Sequence, residues 1–262
     1  MKFDTPAGTN PIDQLKVIGK PHARIDGPLK TTGTAPYAYE RHDVVANQAY
    51  GYIVGSAIAK GRINAMDLRD ARAAPGVIHV VGTTDVPRIG GGSQDKVTLF
   101  GGADIQHYHQ AVAIVVAETF EQARAAAALV RIDYARGPGS FDLASVAGQA
   151  PQQMQGDKPV HATVGDFDAG FKAAAVTLDQ TYTTPDESHA MMEPHSTIAA
   201  WDGDKLTMWT SHQIIRGAKA SAARMFGIAP ENVRIDSPYI GGGFGAKLST
   251  RADAVCAGVA AR

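Results

Sequence analysis

Four glycines within five positions, interrupted only by Phe244, occupy residues 241–245 near the end of this chain. Glycine loses more conformational freedom on folding than any other residue, so a cluster of glycines is costly to order. A chain places such a cluster where its backbone must come very close to something, usually a ligand. The cluster follows a strand-like run at 232–236 and precedes an alanine-rich run that predicts a helix. We therefore expect a strand, a close-approach loop and a helix in this part of the chain.

The residues of the loop allow three interpretations. A phosphate-binding loop is disfavoured, because Ala246 precedes Lys247 where a glycine is required and Leu248 follows it where a serine or threonine is required. A dinucleotide-binding turn matches formally as Gly241-x-Gly243-x-x-Ala246, but the acidic residue expected about 20 positions later would fall beyond residue 262. The third interpretation is a glycine-rich turn without a ligand. For the Lys247 side chain three environments remain open: a cofactor phosphate, solvent, or a surface ion pair.

Composition limits the class of protein and its partners. The chain has 262 residues, 44% hydrophobic and 19% charged, as expected of a globular protein with a sizeable core. A formal net charge of -1 argues against nucleic acid or an anionic membrane as a partner. No run approaches the ~18 consecutive apolar residues of a membrane span, and the N-terminal residues lack the apolar centre of a signal peptide. Export would therefore depend on a partner.

Side chains that could hold a metal are few. Cys256 is the single cysteine, which excludes an intrachain disulfide and a cysteine-ligated zinc or iron–sulfur cluster on this chain; its apolar neighbours predict a buried, unreactive thiol. His107 and His109 form a possible metal pair without a third ligand nearby, so we favour a polar turn. The last group comprises His189, Glu193 and His195, for which we favour a hydrogen-bonded network at the entry to a hairpin.

Hydrophobic periodicity predicts a mixed α/β chain in several parts. Residues 1–23 read as a polar arm, and residues 24–135 as an α/β unit with a doubly buried strand at 111–116 and a helix opened by a capping box at Thr119. Residues 136–160 are rich in turn formers and predict a linker. Residues 161–262 are expected to hold a strand at 176–182, a hairpin turning at Asp202-Gly203, a helix at 214–226 capped by Gly227, and a last helix with Thr250 and Asp253 in its first turn.

Three ordered motifs carry a family resemblance. Residues 24–37 read RIDGPLKTTGTAPY, residues 192–199 read MEPHSTIA, and residues 211–213 read SHQ, followed after a helix and a strand by GGGFGAK at 241–247. With these motifs the chain resembles the molybdenum-binding catalytic subunit of the xanthine dehydrogenase/aldehyde oxidase family, the molybdenum hydroxylases. Within that family it is most similar to the large subunits of bacterial periplasmic aldehyde oxidases, of which it would be the N-terminal third.

The resemblance implies an α+β (mixed α/β) fold. Residues 24–135 would form a hammerhead-type α/β domain, and residues 161–262 the first part of a molybdopterin-binding α+β domain. The amide of Gln213 would hydrogen-bond an oxo ligand of molybdenum, and the protein would supply no direct metal ligand. Phe244 and Leu248 would line the substrate funnel. The loop expected to lie against the metal centre and the pterin, where bare amides can donate hydrogen bonds, comprises Gly241, Gly242, Gly243, Phe244 and Gly245.

The implied reaction is oxidation of an aldehyde to a carboxylic acid, with water as the oxygen source. Electrons would leave through iron–sulfur clusters and FAD on partner chains of a heterotrimer, and the cofactor would be the cytosine dinucleotide form of molybdopterin. Leu248 stands where purine-oxidising members carry a glutamate, which favours an apolar or aromatic aldehyde. No catalytic residue is carried over, because the family's general-base glutamate belongs to a C-terminal part that this chain lacks.

The resemblance also bears on partners and location. We expect a periplasmic protein exported with a signal-bearing partner, with the cytoplasm as the alternative; a separate C-terminal polypeptide is a further candidate partner. Two rival functions stay open at this point. One is a non-catalytic subunit-assembly protein derived from the same fold, and the other is a fragment of a nicotinamide-dependent dehydrogenase.

Overall fold

The structure, a computed structural model, describes residues 8, 10, 14–90, 97–149, 154–155, 158–160 and 163–262. They divide into two compact units. The first draws on Met1–Gly51, Val116–Phe120 and Met191–Arg262, and the second on Tyr52–Val115 and Glu121–Ala190. The boundaries expected at residues 24–135 and 161–262 stay predictions.

The described residues contain both helices and strands. The α-helices in chain order are α1 (Gly27–Thr31), α2 (Arg69–Arg72), α3 (Phe120–Ala127), α4 (Leu143–Val146), α5 (Phe167–Ala173), α6 (Ile215–Phe226) and α7 (Ala252–Ala260). The 3-10 turns are Ala38–Glu40, Thr83–Asp85, Ala147–Gln149 and Pro230–Asn232. The strands are β1 (Tyr50–Gly55), β2 (Gly61–Asp67), β3 (Val77–Gly82), β4 (Ile89–Gly90), β5 (Thr98–Phe100), β6 (Asp104–Ile105), β7 (Ala111–Ala117), β8 (Arg131–Arg136), β9 (Met154–Gln155), β10 (Lys158–Pro159), β11 (Thr197–Asp202), β12 (Lys205–Thr210) and β13 (Val233–Asp236). This confirms a mixed α and β fold.

The second unit is built around strand β7. A three-stranded sheet has the order β1–β7–β3, and a second sheet has the antiparallel order β6–β2–β8. Every residue of β7 except Val116 is buried, which confirms the predicted doubly buried strand. Ala126 and Ala127 of α3 lie in one apolar cluster with Val80 and Val115, because alanine's small side chain lets the helix backbone approach the sheet.

The first unit holds the predicted hairpin and its helices. β11 and β12 pair antiparallel around Gly203, whose φ is 60°, and β12 pairs parallel with β13. Helices α6 and α7 cover this sheet through one cluster that contains Leu206, Val233, Ala222 and Ala254. Helix α6 ends in the left-handed cap predicted for Gly227, which has φ 65° and ψ 35°.

Two local predictions are wrong. Residues 176–182 form no strand, since no described strand lies beside them to complete their backbone hydrogen bonds; Leu178 and Tyr182 are 71% and 83% exposed. Helix α7 begins at Ala252, so Arg251 and not Thr250 is its N-cap, and the arginine side chain has no acceptor for a cap. Asp253 lies in the first turn, where its carboxylate accepts a hydrogen bond from Thr197 Oγ1 at 2.7 Å. Among the described helices, none combines the length and the apolar character needed to cross a membrane.

Candidate functional site

The site lies where two parallel strands leave the sheet at the same edge. β12 ends at Thr210 and leads directly to Gln213, while β13 ends at Asp236 and leads to residues 241–245, the glycine loop. Parallel neighbours place the segments that follow them on one side of a sheet, which is where α/β folds build their sites. The sheet therefore brings together the two parts of the chain that the sequence motifs single out.

Gln213 is fixed by the backbone at the end of the glycine loop. Its side-chain Oε1 accepts hydrogen bonds from the N–H of Gly245 at 3.1 Å and of Lys247 at 3.2 Å. The Gln213 N–H donates to the Lys247 carbonyl at 2.8 Å. Because two N–H donors can satisfy only the amide oxygen, the –NH₂ group is turned to the other side, on a residue that is exposed. No hydrogen bond among the described residues uses that –NH₂ group.

Each glycine of the loop is required either for close packing or for its backbone conformation. A Cβ on Gly243 would lie 2.6 Å from Gln213 Oε1, and a Cβ on Gly241 would lie 2.5 Å from Glu193 Cβ. These two glycines therefore permit close approach. Gly242 and Gly245 have φ values of 93° and 96°, which side chains rarely adopt.

The backbone of the loop also leaves donors unused. Within the described residues, the N–H groups of Gly242, Gly243 and Phe244 take part in no hydrogen bond. Successive N–H groups in a turn of alternating hand form a concave site for electron-rich atoms. Phe244 has a φ of 48°, a strained value for a bulky residue, and its side chain is 74% exposed. The loop thus presents bare donors beside an exposed aromatic ring.

Glu193, which precedes β11, lies behind the loop. Its Oε2 accepts from Ser211 Oγ at 2.6 Å, from the Gly241 N–H at 2.7 Å and from Lys247 Nζ at 2.7 Å. Lys247 Nζ also donates to the Glu193 carbonyl at 2.8 Å. Burial by itself would raise the pKa of the Glu193 carboxyl, but these hydrogen bonds outweigh it, and the pKa lies below its ordinary value.

Two histidines beside the site are held neutral. Burial lowers the pKa of both His195 and His212, and a nearby carboxylate, Asp253, only partly opposes the shift. Nδ1 of His212 accepts a hydrogen bond from the Ile214 N–H at 3.0 Å, so its proton is on Nε2. At neutral pH these imidazoles therefore add no positive charge.

The structure brings together every residue that the resemblance assigned to the cofactor: Gln213, Gly241, Gly242, Gly243, Phe244 and Gly245. Leu248, assigned to the funnel, is 47% exposed. Of the three alternatives for Lys247, the structure shows an ion pair, but a buried one: its side chain is 0% exposed and pairs with the Glu193 carboxylate. The interpretation of the loop as a dinucleotide-binding turn is wrong, because such a turn leads directly into a helix, whereas α7 begins only at Ala252.

Sequence reasoning expected a hydrogen-bonded network at Glu193 but missed its partners. Ser211 and Lys247 lie 18 and 54 residues further along the chain, and no periodicity links such positions. The one available signal was that all three stand inside the quoted motifs. Neither His107 and His109 nor His189 belongs to a group of three metal-binding side chains among the described residues.

Comparison with known proteins places this geometry in a family. Residues 149–262 match the molybdopterin cofactor-binding domain, and residues 32–138 match the a/b hammerhead domain of aldehyde oxidase and xanthine dehydrogenase. The chain is 58% identical over 262 residues to the aldehyde oxidoreductase molybdenum-binding subunit PaoC of Escherichia coli K12, covering 100% of this chain and 36% of that protein.

Two solved structures have the same fold. A Cu,Mo-CO dehydrogenase in its carbon monoxide reduced state has a TM-score of 0.74 at 25% identity, covering 93% of this chain and 34% of that one. The aldehyde oxidoreductase of Desulfovibrio gigas has a TM-score of 0.74 at 24% identity, and the match covers 91% of this chain and 28% of that one. With two domain matches that together span residues 32–138 and 149–262, and with this fold, the chain belongs to the aldehyde oxidase and xanthine dehydrogenase family.

Proposed function

We propose that this chain forms part of an enzyme that oxidises aldehydes to carboxylic acids with water as the oxygen source. The observation that carries the proposal is the outward-turned –NH₂ group of Gln213 beside the unpaired N–H groups of the glycine loop. The identity to PaoC, whose name describes an aldehyde oxidoreductase, supports the choice of substrate class. The chain spans 36% of the length of that relative.

The residues of the site fit a molybdenum–molybdopterin group. A Cβ on Gly243 would fill the space into which Gln213 reaches, so the loop is shaped for backbone approach. Gln213 Nε2 would donate to an oxo ligand, and the N–H groups of Gly242 and Gly243 to electron-rich atoms of the same group. When bound, the cofactor supplies the two-electron redox chemistry that no side chain of this chain can supply.

The chain's own residues orient the site and shape its entrance. Phe244 and Leu248 expose apolar side chains at 74% and 47%, which favours an apolar or aromatic aldehyde over a purine. Glu193 cannot act as the general base, because its lowered pKa and its ion pair with Lys247 make its carboxylate a poor proton acceptor. We propose that the base comes from residues other than those described.

Further parts of the proposal rest on the family resemblance. The cofactor is the cytosine dinucleotide form of molybdopterin. Electrons pass to an iron–sulfur subunit and an FAD subunit in a heterotrimer, and a signal-bearing partner carries the complex to the periplasm. Release of cytidine nucleotide from the purified complex, and cell fractionation with partner genes present or deleted, test these points separately.

The central test uses the holoenzyme that contains this chain. We expect molybdenum by mass spectrometry, turnover of an aromatic aldehyde but not of hypoxanthine, and one ¹⁸O atom in the acid formed in labelled water. Gln213→Ala should lower kcat by a factor on the order of 10²–10³, as loss of one transition-state hydrogen-bond donor does. The matched control is Gln180→Ala, at an exposed position, which should leave kcat unchanged.

Two outcomes would contradict the proposal. Molybdenum at background level in the assembled complex would favour the non-catalytic assembly protein. Equal kcat per bound molybdenum in Gln213→Ala and in wild type would show that Gln213 has no role in the reaction.

A further inference from the structure

We propose that Glu193 is a positioning residue for Gln213, acting as a carboxylate clamp on the glycine loop. This inference rests on the proposed function, because it concerns the residue that faces the reacting centre. One oxygen of Glu193 joins three separate parts of the site, and no other described side chain does so.

The clamp holds both ends of the loop and the end of β12. The Gly241 N–H, 2.7 Å from Glu193 Oε2, begins the loop, and Lys247 Nζ, also at 2.7 Å, follows its end. Ser211, at 2.6 Å, lies two residues before Gln213. Because these groups meet at one atom, neither end of the loop can move away from Gln213 without breaking a hydrogen bond to a charged acceptor, the strong kind.

Lys247 transmits the position of the carboxylate to the amide. Its side chain donates to both Oε2 and the carbonyl of Glu193. Its backbone holds Gln213 from two sides, through the N–H to Oε1 at 3.2 Å and the carbonyl from the Gln213 N–H at 2.8 Å. The direction in which the Gln213 –NH₂ group points is therefore set through Lys247.

Stability alone does not explain a fully buried lysine at this place. The Lys247 side chain is 0% exposed and that of Glu193 is 11% exposed. Taking two charges out of water is costly, and a buried ion pair can often be replaced by apolar residues without loss of stability. What an apolar pair cannot do is give three polar groups one common acceptor, and this points to orientation as its role.

The experiment compares Glu193→Gln with wild-type holoenzyme. We expect kcat per bound molybdenum to fall about tenfold to hundredfold, the scale of a 1 Å misplacement, with KM within about twofold. The Mo(V) electron paramagnetic resonance spectrum should change. Amide hydrogen exchange should speed up at Gly245 and Lys247, whose N–H groups bind Gln213. Glu231→Gln removes the same charge from an exposed position in the turn Pro230–Asn232 and should change none of these.

A double-mutant comparison tests whether Glu193 acts through Gln213. In a Gln213→Ala background, Glu193→Gln should lower kcat by less than about twofold further, because residues that act as a unit are not additive. Fully multiplied losses would overturn the proposal. It would also be overturned if Glu193→Gln lowered only the melting temperature and the molybdenum content, with kcat per molybdenum and exchange at Gly245 unchanged.

A second variant covers the case in which Glu193→Gln does not fold. Ser211→Ala removes one donor and leaves the ion pair, and it should change kcat and exchange in the same direction by a smaller factor. An unchanged exchange rate at Gly245 would overturn the clamp. If the wild type oxidised no aldehyde, the proposed function would fail, whereas hydrogen exchange in the same variants would still decide the clamp.

Discussion

Replacing Gly243 with alanine should destabilise the first unit, since the new methyl group meets Gln213. The Cβ would lie 2.6 Å from Gln213 Oε1 and 2.7 Å from its Cδ. Ordinary contact begins at 3.4 Å, so the side chain must move by about 0.8 Å. The hydrogen bonds that it accepts from Gly245 and Lys247, at 3.1 Å and 3.2 Å, cannot both survive that movement.

The magnitude follows from two costs. Overpacking a close contact costs about 1–3 kcal/mol, and each hydrogen bond lost contributes about 0.5–1.5 kcal/mol. We therefore expect the free energy of unfolding to fall by about 2–4 kcal/mol. Gly243 does not have a positive φ, so backbone strain adds nothing to this figure.

Urea unfolding followed by tryptophan fluorescence suits the measurement, because both tryptophans, Trp201 and Trp209, lie in the hairpin of the same unit. The control is Gly217→Ala on α6, where the nearest atom is a flexible side-chain methyl of Ile214 at 3.2 Å. That change should stay within about 1 kcal/mol. A Gly243→Ala protein within about 0.5 kcal/mol of wild type, the range of neutral surface changes, would refute the steric argument.

Three further predictions concern single groups. Burial raises the pKa of the Cys256 thiol to about 12, so iodoacetamide at neutral pH should label it only as fast as the protein unfolds; labelling at the rate of a free thiol would contradict its burial. The pKa of Glu193 is lowered from 4.5, so its stabilisation is present above that pH and lost as pH falls through the folded value. The stability difference between wild type and Glu193→Gln should therefore shrink in acid, and a constant difference would speak against the ion pair. Gly227→Ala should cost about 1 kcal/mol in urea unfolding, because alanine is strained at φ 65°; no loss would be inconsistent with a left-handed cap.

Elements with a local signal could be predicted from the sequence. The apolar run of β7, the Asp202-Gly203 turn and the Gly227 cap each depend on residues close together in the chain, and all three were confirmed. Gln213 and the glycine loop were assigned together by resemblance, and the parallel pairing of β12 with β13 explains why they meet.

Features that depend on distant partners could not be predicted. Residues 176–182 alternate like a strand, yet a strand exists only where another strand completes its hydrogen bonds. Asp253 had the spacing of a capping residue, but Thr197, 56 positions earlier, binds its carboxylate. The sequence left a phosphate, solvent and a surface ion pair open for Lys247, and only the fold places the Glu193 carboxylate beside it.

Gln213 is held by backbone atoms, whereas the exposed side chains of the same turn are free to vary. Its partners Gly245 and Lys247 bind it through backbone atoms, whereas Phe244 and Leu248 direct exposed side chains outward from the same turn. Substitutions at those two outer positions can reshape which substrate enters without disturbing the hydrogen bonds that aim the amide. A lineage built on this turn could therefore acquire new substrates one side chain at a time while keeping the same chemistry.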